Sequence, residues 1–242
     1  MLSETGVIPV VQSKWFATVV VESPDSTVAE QLQQLAIVDS VKWIWKGNLR
    51  VPAEEKGEDR FVPEDEPLCN EYGYAHKQIK MLNGTKLHEA GFQGEGMRVA
   101  VIDAGFMNAD RISAFDSLRL LGTHNVVFPG KSVFVGDDHG TKVLSCLAAD
   151  IPGVMVGTAP KASYLLLKSE DSDSEYPVEE DYWTAAVEYA DSAGVDVISS
   201  SLGYFAFDAD ELSYEQAALD GKTAMISQAA HLAADKGILI FC

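Results

Sequence analysis

Four apolar segments separated by helical stretches constrain the fold of this chain more than any other feature of its sequence. The apolar segments are 97–102, 163–168, 195–199 and 238–241, and the helical stretches between them are 139–149, 182–192 and 221–236. Near-continuous apolar runs are typical of parallel strands that are buried on both faces of a sheet. The alternation of such strands with helices predicts an α/β fold with a doubly wound parallel sheet.

The composition permits a large core and excludes two classes of partner. Of the 242 residues 47% are hydrophobic, and 37 acidic residues outnumber 18 basic ones to give a formal net charge of −19. Because phosphate binding needs a basic face, we expect no nucleic-acid partner. No apolar run approaches the ~20 residues of a membrane span, so we expect no membrane partner. The N-terminus lacks the charged-then-apolar pattern of a signal peptide.

The acidic residues cluster in two runs, 54–66 and 170–181. Charge blocks of this kind are usually solvated loops, and we favour that interpretation for both runs. The alternative for either run is a cation site or an electrostatic contribution to the choice of substrate.

Composition and pattern divide the chain into three parts, 1–48, 49–70 and 71–242. The first part predicts a small β-α-β unit, with its strand, helix and strand over 14–22, 28–36 and 38–46. The second part is acidic and contains three prolines, which predicts an exposed linker. Proteolysis concentrates in such segments, so any maturation cleavage is expected there. The third part holds the predicted parallel sheet.

Two short segments in the third part carry residues that are suited to chemistry. Asp103 follows the apolar strand 97–102, and functional groups collect at the carboxyl ends of strands in such a sheet. His139 lies 36 residues later at a predicted helix start, with Asp138 before it and Gly140 after it. A histidine acts as a general base when a buried carboxylate holds one ring nitrogen as a donor and leaves the other free to accept a proton. We therefore predict that the side chains of Asp103 and His139 touch.

This order of segments resembles the subtilisin-like serine proteases, in which an Asp-His-Ser triad runs along the chain in that sequence. The segments that carry the resemblance are VAVID over 99–103, DHGT over 138–141 and, ahead of them, the pairs at 72–73, 78–79 and 87–88. The resemblance extends from residue 72 to residue 242. It implies a serine endopeptidase that acts on polypeptides, with Asp103 as the orienting carboxylate and His139 as the base.

The resemblance also assigns two further segments. Ser201, Leu202 and Gly203 match the family's substrate-binding segment, whose extended backbone pairs with a peptide as an added strand. Residues 1–48 resemble the end of the inhibitory pro-domain that precedes subtilisin-like catalytic domains. Because proteases of this family that carry a pro-domain are usually exported, we expect the full-length protein to be exported.

The family's oxyanion asparagine and nucleophilic serine have no matching segment here. In the family both residues follow the strand that matches 238–241, and no Gly-x-Ser-x-Gly occurs in the sequence. We therefore expect a fragment that is inactive alone and that needs the missing C-terminal part of its catalytic domain as a partner. Without the nucleophile, the covalent route is absent.

We expect no cofactor and assign no metal ligands. Gln78 matches a calcium-ligand position of some subtilisins and Asp110 lies near another, but calcium needs about six or more oxygen ligands. The sequence does not supply a full set, so calcium is only a possible cofactor.

Two other functions stay open at this point. One is a metal-dependent hydrolase that uses Asp103, Asp137, Asp138 and His139, although their spacing is not diagnostic of a two-metal site. The other is a non-catalytic protease relic that still holds peptides along residues 201–203.

Overall fold

The computed structural model describes residues 6–45, 47 and 70–242. In chain order its strands are β1 (Ile8–Ser13), β2 (Thr18–Glu22), β3 (Arg98–Asp103), β4 (Arg119–Asn125), β5 (Asp150–Ile151), β6 (Met155–Val156), β7 (Ser163–Lys168), β8 (Val197–Ser200) and β9 (Leu239–Phe241). Its α-helices are α1 (Val28–Gln33), α2 (His76–Met81), α3 (Gly84–Glu89), α4 (His139–Ala148), α5 (Val178–Ser192) and α6 (Met225–Asp235).

Five strands form a parallel sheet in the order β4-β7-β3-β8-β9. The central strand β3 pairs with β7 on one side and with β8 on the other. Alternate residues of β3 face different cores, since Ala100 and Ile102 pack on the side of α5 and α6. Val99 and Val101 pack on the side of α4. Helices cover both faces of the sheet, so the predicted α/β, doubly wound fold class is confirmed.

Two helices begin at positions that differ from the prediction. Helix α5 begins at Val178, four residues earlier than predicted, because Glu179 and Glu180 of its first turn are buried rather than solvated. Helix α6 begins at Met225, four residues later than predicted. Asp220 Oδ1 accepts hydrogen bonds from the backbone N–H groups of Lys222 and Thr223, at 2.8 Å each, and these bonds hold the chain in a turn ahead of the helix.

The predicted β-α-β unit at the N-terminus is wrong in its order of elements. Strands β1 and β2 form an antiparallel hairpin and α1 follows them, whereas residues 38–45 carry no strand. Ala17 has a positive φ of 52° and turns the chain, so β2 begins only at Thr18. The end of this segment lies against α5 instead, where the Ile44 carbonyl accepts a hydrogen bond from the Val178 N–H at 3.3 Å, whereas Val41 packs with α1.

The hairpin packs on helix α5. Val10 of β1 is part-buried against the core that α5 contributes to. The Glu188 carboxylate of α5 accepts hydrogen bonds from Ser13 Oγ, from the Lys14 N–H at 3.0 Å and from the Trp15 N–H at 3.2 Å. One side chain of α5 therefore caps the turn that joins the two strands.

The predicted linker over 49–70 lies outside the described residues, apart from residue 70. The acidic run over 54–66 and the expected maturation site also lie outside them. The division into 1–48, 49–70 and 71–242 therefore stays a prediction. Within the described ranges, no helix combines the length and the apolar character that crossing a bilayer requires.

Candidate active site

Asp103 and His139 touch at the carboxyl end of β3. Asp103 is the last residue of the strand and is 0% exposed. Its Oδ1 accepts a hydrogen bond from the Ala104 N–H at 2.8 Å and lies 2.7 Å from His139 Nδ1. Its Oδ2 has no hydrogen-bond partner among the described residues. The predicted contact is therefore present, and it assigns Nδ1 as the donor nitrogen of the ring.

The start of helix α4 fixes the position of His139. The His139 N–H donates to Asp137 Oδ1 at 2.7 Å, and the hydroxyl of Thr141 donates to the Met107 carbonyl at 2.9 Å. These bonds tie the first turn of the helix to the chain that leaves β3. The side chain of His139 is 49% exposed while that of its partner is buried. The ring thus has one edge on Asp103 and still reaches solvent.

Gly140 permits this close approach. A Cβ atom at this position would lie 2.5 Å from the Gly105 carbonyl oxygen, 2.8 Å from Asp103 Cβ and 2.9 Å from a ring carbon of Phe106. Real Cβ atoms essentially never come so close to a backbone atom. A glycine is therefore required at this position if the helix is to stand next to β3.

Burial and hydrogen bonding act in opposite directions on Asp103. Burial raises the pKa of the Asp103 carboxyl, while its hydrogen bonds from His139 and Ala104 lower it and the charge of Asp137 raises it. The net shift in the pKa is upward. The hydrogen bonds are those that a carboxylate accepts, so the geometry is built for the ionised form although burial disfavours that form.

A cleft of about 510 Å³ opens beside His139. Its lining residues are Ala104, Asp137, His139, Glu170, Asp171, Ser172, Asp173, Ser174, Glu175, Ser201, Leu202 and Asp208. Two of the three residues predicted to bind substrate, Ser201 and Leu202, lie in this lining together with the proposed base. The third, Gly203, follows them but is not part of the lining. Carboxylates dominate the lining, which contains no lysine or arginine.

Three acidic residues of the run over 170–181 are buried, so the solvated loop that we favoured is wrong for them, although residues 172 and 173 are exposed. Glu170, Glu179 and Glu180 are 6%, 1% and 3% exposed. Burial raises the pKa of Glu170 to about 8 and that of Glu179 to about 9. The Glu179 carboxylate accepts hydrogen bonds from the N–H groups of Asp171 at 3.0 Å and Tyr176 at 3.3 Å. It thereby joins the two ends of the loop that forms one wall of the cleft.

The burial of these glutamates was not predicted, because their charge hid the helical pattern of α5. The signal that could have found them is the spacing of Val178, Tyr182 and Trp183, which marks a buried helix face extending back to the first turn of α5. Lys168 was also missed. It ends β7, is 4% exposed, and its Nζ donates to the Ala104 carbonyl. No pattern in the sequence distinguishes it from a surface lysine.

The residues of the alternative metal-dependent hydrolase have other partners. Asp137 accepts the His139 N–H, and Asp138 Oδ1 lies 2.7 Å from Lys142 Nζ. Among the described residues, the group whose possible ligand atoms lie within 4.8 Å of one another is Glu170, Glu175 and Glu179.

The two residues considered for calcium do not belong to that group. Gln78 lies on α2, and Asp110 lies exposed in the turn that follows β3. The expectation of no cofactor, with calcium only a possible one, is not tested by this geometry and stays a prediction.

Comparison with known sequences matches residues 94–242 to the Subtilase family, which is more than half of the chain. Subtilisin E of Bacillus subtilis (strain 168) is 32% identical over 150 residues, which are 59% of this chain and 36% of subtilisin E. A thermostable alkaline protease of Halalkalibacterium halodurans is 28% identical over 126 residues, 52% of this chain and 33% of that protease. The chain thus spans about a third of the length of these relatives.

Two solved structures align with part of this chain. MycP1 with its N-terminal propeptide removed aligns with a TM-score of 0.49 at 20% identity, covering 73% of this chain and 48% of MycP1. The prenylagaramide maturation protease PagA aligns with a TM-score of 0.43 at 20% identity, covering 65% of this chain and 48% of PagA.

Proposed function

Because the chain belongs to the subtilase family, we propose that it supplies the general-base half of a serine endopeptidase active site. The observation that carries the proposal is the 2.7 Å contact between His139 Nδ1 and buried Asp103 Oδ1 beside a cleft. In this proposal Asp103 orients the ring, and His139 takes the proton of a serine hydroxyl as that hydroxyl attacks a peptide carbonyl.

The roles of the two residues follow from their protonation chemistry. With Nδ1–H donated to Asp103, the lone pair of the neutral ring lies on Nε2 and can accept a proton. The imidazolium that forms is then stabilised by the carboxylate at its other edge. The same ring returns the proton to the leaving amine. General acid–base groups of this kind contribute about 10²–10⁴ in rate.

The substrate is proposed to be a polypeptide that lies along residues 201–203. Ser201 and Leu202 line the same cleft as His139 and follow the carboxyl end of β8. This arrangement supports a substrate peptide whose backbone passes close to the proposed base. A peptide in extended form would add to this segment by main-chain hydrogen bonds.

We place the nucleophilic serine and the oxyanion asparagine outside these 242 residues. The sequence contains no segment that matches the family's serine motif. Three serines line the cleft, Ser172, Ser174 and Ser201, and no hydrogen bond joins any of them to His139 among the described contacts. We therefore propose that the 242-residue chain is inactive alone and that its partner is a C-terminal part of the same catalytic domain. We also propose that the complete protein is exported.

A fluorophosphonate probe that labels active serines tests the proposal. A chain extended by the coding sequence that follows residue 242 should be labelled, and its labelling rate should fall about 10²–10⁴-fold in His139→Ala. His231→Ala is the matched control, because its ring is 78% exposed on α6 and should leave labelling unchanged.

Two results would contradict the proposal. One is a folded, extended chain that the probe does not label, and peptide binding by that chain would then favour the non-catalytic relic. The other is equal labelling of the parent chain and His139→Ala. Stoichiometric zinc or manganese in the purified protein would favour the metal-dependent hydrolase instead.

A further inference from the structure

A lysine is buried next to the Asp103–His139 pair. Lys168, the last residue of β7, pairs in register with Asp103 of β3 and with Asn125 of β4. It is 4% exposed, and its Nζ donates to the carbonyl of Ala104, the residue that follows Asp103. Burying an ammonium group is costly unless it is compensated, so a lysine at this position needs a role that an apolar residue cannot fill.

The negative groups around Lys168 come from three parts of the structure. Asp103 ends β3, Asp137 precedes α4, and Glu170 and Asp171 follow β7. All four act electrostatically on Lys168 and raise its pKa, against burial, which is the larger effect and lowers it. A protonated imidazole cannot serve as a base, and a positive charge near an imidazole disfavours its protonation.

We propose that Lys168 is a positioning residue for the Asp103–His139 pair. Its hydrogen bond to the Ala104 carbonyl fixes the backbone that carries the carboxylate, and its positive charge opposes protonation of the imidazole inside an acidic cleft. The inference rests on the proposed function, because it concerns the same pair of residues. It adds a residue that has no hydrogen bond to the ring among the described contacts and that acts through the Ala104 carbonyl and through its charge.

The test follows the His139 ring by NMR in the 242-residue chain with labelled histidine. The ring signals are assigned by their loss in His139→Ala, and their pH titration is compared between the parent chain and Lys168→Met. Removal of the buried charge should move the midpoint of the His139 titration to higher pH, because a nearby positive charge disfavours the imidazolium. We expect a shift of about one unit, which is the usual spread of histidine pKa values among folded proteins. Lys168→Arg keeps the charge and the hydrogen-bond donor, so the midpoint of its His139 titration should lie close to that of the parent chain.

Two further variants separate charge from structure. Lys161→Met removes the same charge from an exposed lysine paired with Glu95 at 3.2 Å, and its His139 midpoint should match that of the parent chain. Lys168→Gln keeps an N–H donor for the Ala104 carbonyl and tests the charge alone if Lys168→Met does not fold, as judged by circular dichroism. The midpoint of the His139 titration should move to higher pH in Lys168→Gln as it does in Lys168→Met.

The proposal is overturned if folded Lys168→Met or Lys168→Gln titrates like the parent chain. It is also overturned if the Lys168 Nζ, followed by ¹⁵N NMR of labelled lysine in the parent chain, is a neutral amine at pH 7. Neither result would alter the labelling experiment on the extended chain, so failure of this inference and failure of the proposed function are distinguishable.

Discussion

Gly140 shows how strictly a single residue is constrained by the contact between α4 and β3. The helix begins at His139, and the next residue lies against the backbone of the chain that leaves the strand. Any side chain there must push the helix away from Asp103. Because the hydrogen bond between His139 and Asp103 spans only 2.7 Å, a displacement of 1 Å would break it.

We expect Gly140→Ala to destabilise the protein and to separate the two residues. The new methyl group would meet backbone and core atoms at 2.5–2.9 Å, so the free energy of unfolding should fall by roughly 1–3 kcal/mol, the usual cost of overpacking. Chemical denaturation measures this change. Gly203→Ala is the control, because a Cβ there meets nothing within 4 Å and the position has no positive φ. Equal stability of the two variants would show that the close contact does not exist.

At the scale of elements, the loop between β7 and α5 is a wall built from buried carboxyl groups. Glu170 accepts a hydrogen bond from the Tyr204 hydroxyl, and Glu179 holds both ends of the loop. Both carboxyl groups have a pKa raised above the ordinary value of 4.5. The folded protein therefore holds protons that the unfolded chain releases, and the stability of the wall depends on pH.

Stability should fall as pH rises from about 5 to about 9. In this window the unfolded chain binds fewer protons than the folded one, so the free energy of unfolding decreases with pH. Glu170→Gln mimics the protonated form, and it should be more stable than the parent chain at about pH 9 by roughly 1–3 kcal/mol. Urea denaturation at several pH values across this window measures how the free energy of unfolding changes with pH in the parent chain and in Glu170→Gln. Glu211→Gln makes the same charge change on an exposed residue and should keep the parent slope; a parent stability that rises with pH would contradict the prediction.

The contact between the N-terminal hairpin and α5 depends on one carboxylate. Glu188 accepts three hydrogen bonds from residues 13–15, so Glu188→Ala leaves these donors unpaired. We expect amide hydrogen exchange to become faster in β1 and β2 and to stay unchanged in β3 and β7. Each buried donor left without a partner destabilises the structure by about 1–3 kcal/mol, and a donor at a part-buried edge destabilises it by less. Glu89→Ala, at the exposed end of α3, should leave exchange in the hairpin unaltered. If amide exchange in β1 and β2 of Glu188→Ala were as slow as in the parent chain, packing alone would hold the hairpin against α5.

At the scale of the whole molecule, the sequence predicted the parallel sheet and the contact of Asp103 with His139. Both follow from strong local signals, namely apolar strands and a carboxylate and a histidine at element ends. The N-terminal elements were mispredicted because residues 38–45 alternate like a strand, whereas Ile44 bonds to the start of α5, a tertiary contact that no local pattern reveals. The burial of Glu170, Glu179 and Lys168 was not predicted for the same reason. Charged residues are expected to be solvent-exposed until their packing partners are known.

The overall acidity and the acidic cleft together predict a preference among peptides. Opposite charges on a ligand and in a cleft favour association, and salt screens this attraction. A peptide with lysines on both sides of the bond to be cleaved should bind the 242-residue chain more tightly than the same peptide with glutamines. The advantage should shrink as ionic strength rises from about 0.01 M to about 1 M, where the Debye length falls from about 30 Å to about 3 Å.

The advantage of the lysine peptide should also grow as pH rises through about 8, because Glu170 then loses its proton and adds a charge to the cleft wall. Calorimetry of both peptides at several pH values and salt concentrations measures these trends. Glu170→Gln should weaken the pH dependence, whereas Glu211→Gln should keep it. Equal affinity for the lysine and glutamine peptides at low salt would show that the carboxylates of this cleft contribute to folding and not to the choice of substrate.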